Sequence, residues 1–188
     1  MTSTGTRDLI LDSAQALAQT LGFNGFSYAD IAAELDIKKA SIHYHFPSKQ
    51  NLEAELLERY RAGFAAELRR IDSRANSNED RLQRYAGLYE DTLAQNRVCL
   101  AGMMASDAGA LPEQLAPAIS HFFEEHIDWL TAVVRAGKDA GEFSKQGAAG
   151  DQASALLAAF QGGLMLASAM ADPGVFNRLR TAAIKGLK

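Results

Sequence analysis

Residues 37–49 read IKKASIHYHFPSK, from Ile37 to Lys49, and the rest of the chain is organised around them. The stretch holds Lys38, Lys39 and Lys49, two of the four histidines, Tyr44, two serines and no acidic residue, in a chain of formal net charge −4. Cationic character has therefore been concentrated here. A short basic segment interleaved with hydroxyl and aromatic groups suits a surface that grips phosphate and reaches base edges. The competing reading is a solvated charged turn. The flanking residues decide between the two.

On the N-terminal side, Ile10, Ala14, Leu17 and Leu21 fall at spacings of four, three and four, one face of a helix over Arg7–Leu21. Gly22 supplies a helix end that tolerates a left-handed backbone, and Phe23 and Phe26 are spaced to fold back over the same face. Ser27 stands at an N-cap position with Asp30 three residues on, a capping-box spacing. Ile31, Ala32 and Leu35 make the buried stripe of a short second helix, and Asp36 takes the turn, where positive φ is often needed. A third helix is expected over Lys39–Tyr44, with Ala40 and Ile42 pointing inward and Phe46 closing the unit. Three helices in fewer than fifty residues, the last two joined by a tight turn, make a helix-turn-helix.

The run GFNGFSYADIAAELDIKKASIHYHFPSKQNL, residues 22–52, resembles the DNA-binding domain of the tetracycline-repressor (TetR) family. In that family a Gly-aromatic start leads to an Ile-Ala-x-x-Leu helix and then a recognition helix ending in aromatic-x-His-Phe-x-x-Lys. The match runs without gaps from about Arg7 to Leu57. It departs at Asp36, where glycine is usual, at Lys38, where a serine or threonine would cap the recognition helix, and at His43, which replaces the commonest tyrosine. The resemblance implies a homodimer on a palindromic operator in double-stranded DNA. Lys39, Ala40 and His43 would face base edges. Ser27, Tyr28, Tyr44, His45 and Lys49 would hold phosphates, and Lys38 and Ser41 complete the DNA-facing set. Plainer roles stand beside these: Tyr44 packed on the first helix, Ser27 as a cap only, His45 as a structural histidine.

Beyond Pro47, Ser48 is placed to cap a helix in which Leu52, Leu56, Tyr60, Phe64 and Leu68 recur every four residues, running past Arg70. The polar segment 73–78 is a loop signal. Leu82, Ala86, Tyr89 and Leu93 share a face of the next helix, and residues 96–112 are expected to hold a short helix flanked by turns. Pro112 or Pro117 opens a long helix through Ile119, Phe122, Phe123, Ile127, Leu130 and Val134, ending near Gly141. After a loop over 144–150, Asp151–Ala169 is apolar around much of its circumference, with Gly162 and Gly163 permitting close approach. Asp172 caps a final helix with Pro173 at its first position, carrying Phe176, Leu179 and Ile184. The expectation is an all-α protein, residues 1–50 forming the helix-turn-helix domain and 51–188 a helical effector-binding and dimerisation domain. The last two helices are too apolar to stay exposed. The resemblance implies that they pair with a mate as a four-helix bundle, with Leu156, Phe160, Leu164, Phe176 and Leu179 at the dimer interface.

With 47% hydrophobic and 22% charged residues the composition is that of a soluble globular chain. No run of about 18 apolar residues is present, so no membrane-spanning helix is expected, and the N-terminus does not read as a signal peptide. One cysteine excludes an internal disulfide and fits the cytoplasm. Phosphate-loop, zinc-protease and nucleophile-elbow patterns are missing, so no enzyme is expected. In the cluster His121, Glu125 and His126 one pair stands at i, i+4, but His121 and His126 are poorly spaced to share a face and no third convincing ligand is present, so neither metal nor cofactor is expected. The resemblance implies a small-molecule effector. Its candidate lining is Tyr60, Phe64, Tyr85, Tyr89, Cys99, Met103, Phe122, His126, Trp129 and Phe160, for which plain core is the alternative. Cys99, two residues from Arg97, is either a redox or electrophile sensor or a buried small hydrophobe. The alternative function is a helical ligand-binding or protein-interaction module that no longer engages DNA.

Overall fold

The structure, a computed structural model, describes residues 5–106 and 115–188. Among these the regular elements are helical: α1 (Thr6–Leu21), a 3₁₀ turn (Phe23–Gly25), α2 (Tyr28–Glu34), α3 (Lys39–His45), α4 (Lys49–Arg74), α5 (Asn78–Ala94), α6 (Leu100–Ser106), α7 (Ala116–Asp139), α8 (Ala149–Ala169) and α9 (Pro173–Lys185). Side-chain caps fix several of the starts. Ser27, Ser48, Ser77 and Asp172 accept from backbone N–H groups of α2, α4, α5 and α9, satisfying donors that a helix start otherwise leaves without partners. α4 runs on to Arg74, so the expected loop shrinks to residues 75–77. Pro117 sits in the first turn of α7, while Pro112 lies outside the described residues.

The chain divides into two units, Met1–Gly63 with Leu100–Ile119 and Phe64–Cys99 with Ser120–Lys188. In the first, α1 buries Ile10, Leu11, Ala14 and Ala18, while Leu21, expected on this face, is 54% exposed. Leu11 turns the buried face by a fraction of a turn, so that Ala18 replaces Leu21 in the stripe. In α2 Tyr28 and Ile31 are buried, while Ala32 and the C-cap Leu35 are half-buried. Asp36 takes up the left-handed backbone at φ 51°, and the Ile37 N–H closes back on the Ala32 carbonyl at 3.0 Å. Ile42 and Phe46 are fully buried, but Ala40 is exposed. Two residues along an α-helix is about 200° of rotation, so Ala40 and Ile42 face nearly opposite ways.

The second unit packs α5 and α7–α9 around Tyr85, Tyr89, Phe122, Leu130, Phe160, Leu164 and Phe176. This corrects the expected dimer interface. Leu156, Phe160, Leu164 and Phe176 lie inside the protomer's own core; of that set only Leu179 reaches the surface. α8 is apolar on nearly every side, so its sequence does not distinguish the two faces. The outward face instead carries Met165, Leu166 and Met170. Gly163 lets α9 approach: a Cβ there would meet Phe176 at 3.3 Å and Leu179 at 3.4 Å, whereas Gly162 faces open space.

The chain between α7 and α8 is tied down from three sides. Lys138 donates through Nζ to the carbonyls of Gln146 (2.7 Å) and Gly147 (2.6 Å). Glu142 accepts from the backbone N–H groups of Asn78 and Glu79 at the start of α5. Burial raises the Glu142 carboxyl pKa, but those hydrogen bonds outweigh it and the net direction is down. Buried Phe143 lies against Gly137, where a Cβ would fall 2.2 Å from two ring carbons. Gly137→Ala is therefore expected to lower stability by about 1–3 kcal/mol through overpacking, overriding a helix-propensity gain of about 1 kcal/mol. Thermal denaturation checks this, and a raised midpoint would refute it. None of the described helices is long and apolar enough to cross a membrane.

Candidate functional site

In the first unit, α3 is held by side chains reaching across from the start of α2 to the start of α4. The Tyr28 hydroxyl sits 3.0 Å from the Phe46 carbonyl and 2.7 Å from that of Ser48, donating to this pair. Burial, with a smaller contribution from Glu53, pushes the phenol pKa up to about 12. Lys49 donates through Nζ to the carbonyls of Phe23 and Phe26, and its ammonium lies 4.4 Å from the centroid of the Phe26 ring. Burial lowers the Lys49 pKa against the opposing pull of Glu53 and Asp30. Ser13 on α1 completes the frame by donating to Glu34 on α2 at 2.7 Å.

These contacts change the roles of two residues expected at phosphate. Tyr28 is a core residue with its hydroxyl aimed at backbone. Lys49 has two of its three ammonium protons directed inward. Both position α3. Ser27 is exposed, but its Oγ accepts from the Ala29 N–H and donates to Asp30, the work of a cap. The surface left to a ligand is Lys38, Lys39, Ala40, His43 and Tyr44, with Ser41 and His45 half-buried beside them. Tyr44 is 83% exposed, which removes the reading in which it packs on α1. The His43 ring stands edge-on to Tyr28 at 4.9 Å. Lys38 occupies the N-cap of α3 without a side-chain cap hydrogen bond, as expected from its missing hydroxyl. A projecting, acid-free helix face of this kind can neutralise phosphate and offer donors to guanine O6 and N7.

Eight of the ten candidate effector residues fall in the second unit; Tyr60 and Met103 fall in the first. Phe64, Phe122 and His126 form one aromatic group, with His126 4.3 Å from Phe122 and 4.9 Å from Phe64. Tyr85 stacks on Trp129 at 5.4 Å and borders Phe160 at 5.9 Å. Through this apolar setting runs a line of polar atoms. His126 Nδ1 lies 2.6 Å from the Tyr85 hydroxyl, which lies 3.1 Å from that of Tyr89. Gln161 Nε2 reaches Tyr89 at 3.3 Å and Cys99 Sγ at 3.4 Å. Burial lowers the His126 pKa to about 4 and raises that of Tyr85. Gln161 and Phe176, which stacks on Tyr89 at 6.1 Å, are missing from the sequence-derived pocket. One glutamine among alanines gives no periodic signal, and Phe176 reads equally well as interface. His121 is exposed and pairs with Glu125 at 3.3 Å, while His126 is buried, so the three do not converge on a metal.

Residues 10–56 match the family described as bacterial regulatory proteins, tetR family. Residues 79–183 match the tetracyclin repressor-like C-terminal domain. The chain belongs to the TetR family. A TetR transcriptional regulator from Legionella pneumophila is 31% identical, with a TM-score of 0.91 and coverage of 100% of both chains. A TetR-family regulator from Agrobacterium tumefaciens is likewise 31% identical, with a TM-score of 0.92 over 97% of each chain. The HTH-type transcriptional repressor DhaR of Mycobacterium sp. (strain GP1) is 23% identical over 170 residues, 88% of this chain and 83% of that protein. Members of the TetR family are transcriptional regulators and not enzymes, and this chain is a transcriptional regulator.

Proposed function

We propose that this TetR-family regulator is a cytoplasmic repressor that binds a palindromic operator as a homodimer and releases it when a small molecule enters the C-terminal domain. The observation that carries the reading is the exposed, acid-free face of α3, bearing Lys38, Lys39, Ala40, His43 and Tyr44 on a frame locked by Tyr28 and Lys49. Lys39, Ala40 and His43 read base edges; Lys38, Ser41, Tyr44 and His45 meet phosphate. One seven-residue helix offers too little surface for useful specificity, so two copies are needed, about 34 Å apart on one side of the duplex. The exposed apolar residues of α8 and α9 supply a face for that pairing. Residues 1–50 serve DNA, and residues 51–188 serve the effector and the mate. α4 contributes residues to both units and acts as the lever between two spacings of the recognition helices. An effector shifts that balance only through different affinities for the two states.

Selection of bound duplexes from a random pool tests this reading. Enrichment of a two-half-site palindrome supports it. No enrichment at low salt by folded, dimeric protein would favour an interaction module that has left DNA. With an operator in hand, Lys39→Ala is expected to relax base preference at one position of each half-site, at about 1–3 kcal/mol of discrimination. A uniform loss at every operator position would refute its base contact. A steep fall in affinity with added salt is expected from counterion release.

A further inference from the structure

Two histidines stand in the last turn of α3, and they are placed differently: His43 is exposed, and His45 is half-buried. The His43 ring is edge-on to Tyr28 at 4.9 Å, but the Tyr28 hydroxyl is directed at the carbonyls of Phe46 and Ser48. Neither ring nitrogen of His43 has a hydrogen-bond partner among the described residues. Packing thus holds the ring while its polar atoms stay open. The charged groups of the neighbouring elements are engaged elsewhere. On α2, Asp30 is held by Ser27 and Glu34 by Ser13. On α4, Lys49 is turned to the carbonyls of Phe23 and Phe26, and Glu53 is buried. Asp36, in the turn before α3, forms no ion pair with either histidine. Tyr28 is a neutral phenol, its pKa pushed up to about 12 by burial. The exposed cations beside His43 are Lys38 and Lys39, and Lys39, four residues earlier, shares its side of the helix.

We propose that His43 enters the major groove as an imidazolium that donates to guanine, so that each half-site takes up a proton and the choice of operator sharpens as pH falls. This rests on the reading that α3 binds an operator. Imidazole is the side chain whose ordinary titration falls between about pH 5 and 8. Duplex DNA carries one phosphate charge per about 1.7 Å, and a nearby opposite charge favours the charged form of a titratable group. The bound state therefore holds the proton at a pH where the free state has begun to lose it. The proton also sets which base is read. A neutral imidazole has one donor and one acceptor nitrogen and can meet the edge of any base pair. An imidazolium has donors only. Guanine offers two acceptors, N7 and O6, whereas adenine and cytosine each present an amino group that repels a donor. A charge-assisted hydrogen bond to guanine is also the stronger one.

The test uses full-length protein and the palindrome selected from the random pool. Its affinity is compared with that of duplexes in which one G·C pair of one half-site is changed to A·T, each guanine in turn, at about pH 8 and about pH 6 and at fixed salt. The ratio of the two affinities is the quantity read, because protein stability and the phosphate contact of His45 act on both duplexes alike and cancel. At one position per half-site the preference for guanine is expected to widen roughly ten-fold or more between those pH values, one linked proton giving at most a ten-fold change per pH unit. Calorimetry in buffers of different ionisation enthalpy should register the matching proton uptake. His43→Gln, which cannot be protonated, should show a preference independent of pH. His43→Lys, a donor charged at both pH values, should prefer guanine at both. A preference that stays constant with pH at every position in the wild-type protein, or a pH-dependent one that survives in His43→Gln, overturns the assignment. Failure of the operator reading looks different: no palindrome is enriched at either pH, and the assignment falls with it.

Discussion

Glutamate in place of Leu166 is expected to yield a folded monomer with no measurable operator binding. Leu166 is 51% exposed in the protomer, and Met165, Met170 and Leu179 are exposed with it on α8 and α9. Burying one leucine contributes about 1.5–3 kcal/mol. A two-fold interface contains each position twice, so one substitution removes two such contributions and adds two carboxylates that must be desolvated. A dimer weakened by 3 kcal/mol or more dissociates roughly 100-fold more readily. Sedimentation of Leu166→Glu should show monomer, its thermal midpoint should remain near that of the wild-type protomer, and a gel shift should lose the retarded band. Leu164→Glu, two positions earlier and fully buried, is the contrasting variant and should fail to fold. A Leu166→Glu protein that stays dimeric and still shifts operator would place the mate elsewhere.

That contrast also locates where sequence reading succeeds and where it stops. The helix-turn-helix is legible because its signals are local: a cap at Ser27, a positive-φ turn at Asp36 and an apolar stripe each involve neighbours in sequence. Errors arose where the deciding partner is distant. Tyr28 and Lys49 look like phosphate ligands until their donors are seen to end on the carbonyls of residues 18 to 26 positions away. Leu164 and Leu166 are indistinguishable in a helix that is apolar nearly all round; the packing of α5 and α9 against α8 tells them apart. The buried polar line is the extreme case. Cys99, His126, Tyr85 and Tyr89 were visible as single residues, but Gln161 was not, and their order depends on three helices meeting.

Acidification from pH 6.5 to 4 is expected to destabilise the protein by about 3 kcal/mol through His126 alone. Its folded pKa is about 4, against an ordinary value of about 6.5 in the unfolded chain. Between those values the unfolded state binds the proton and the folded state does not, so stability falls as pH falls. The contribution is complete above about pH 6.5 and is lost progressively until the folded pKa is reached. A gap of about 2.5 units at 1.36 kcal/mol each gives the magnitude. Asp30, Asp80 and Glu142 also have folded pKa values below their ordinary ones. Their contributions have the same sign, but they begin to disappear only near the ordinary carboxylate range, at the acid end of this window. Urea denaturation at half-unit steps from pH 7 to 5 therefore isolates the imidazole. His126→Phe should be less stable at pH 7, because the buried Tyr85 hydroxyl loses its hydrogen bond to the imidazole, yet its stability should be nearly flat across that interval. Parallel slopes in the two proteins would mean that the imidazole is hydrated and titrates normally, and that the C-terminal core opens to water beside Phe64 and Phe122.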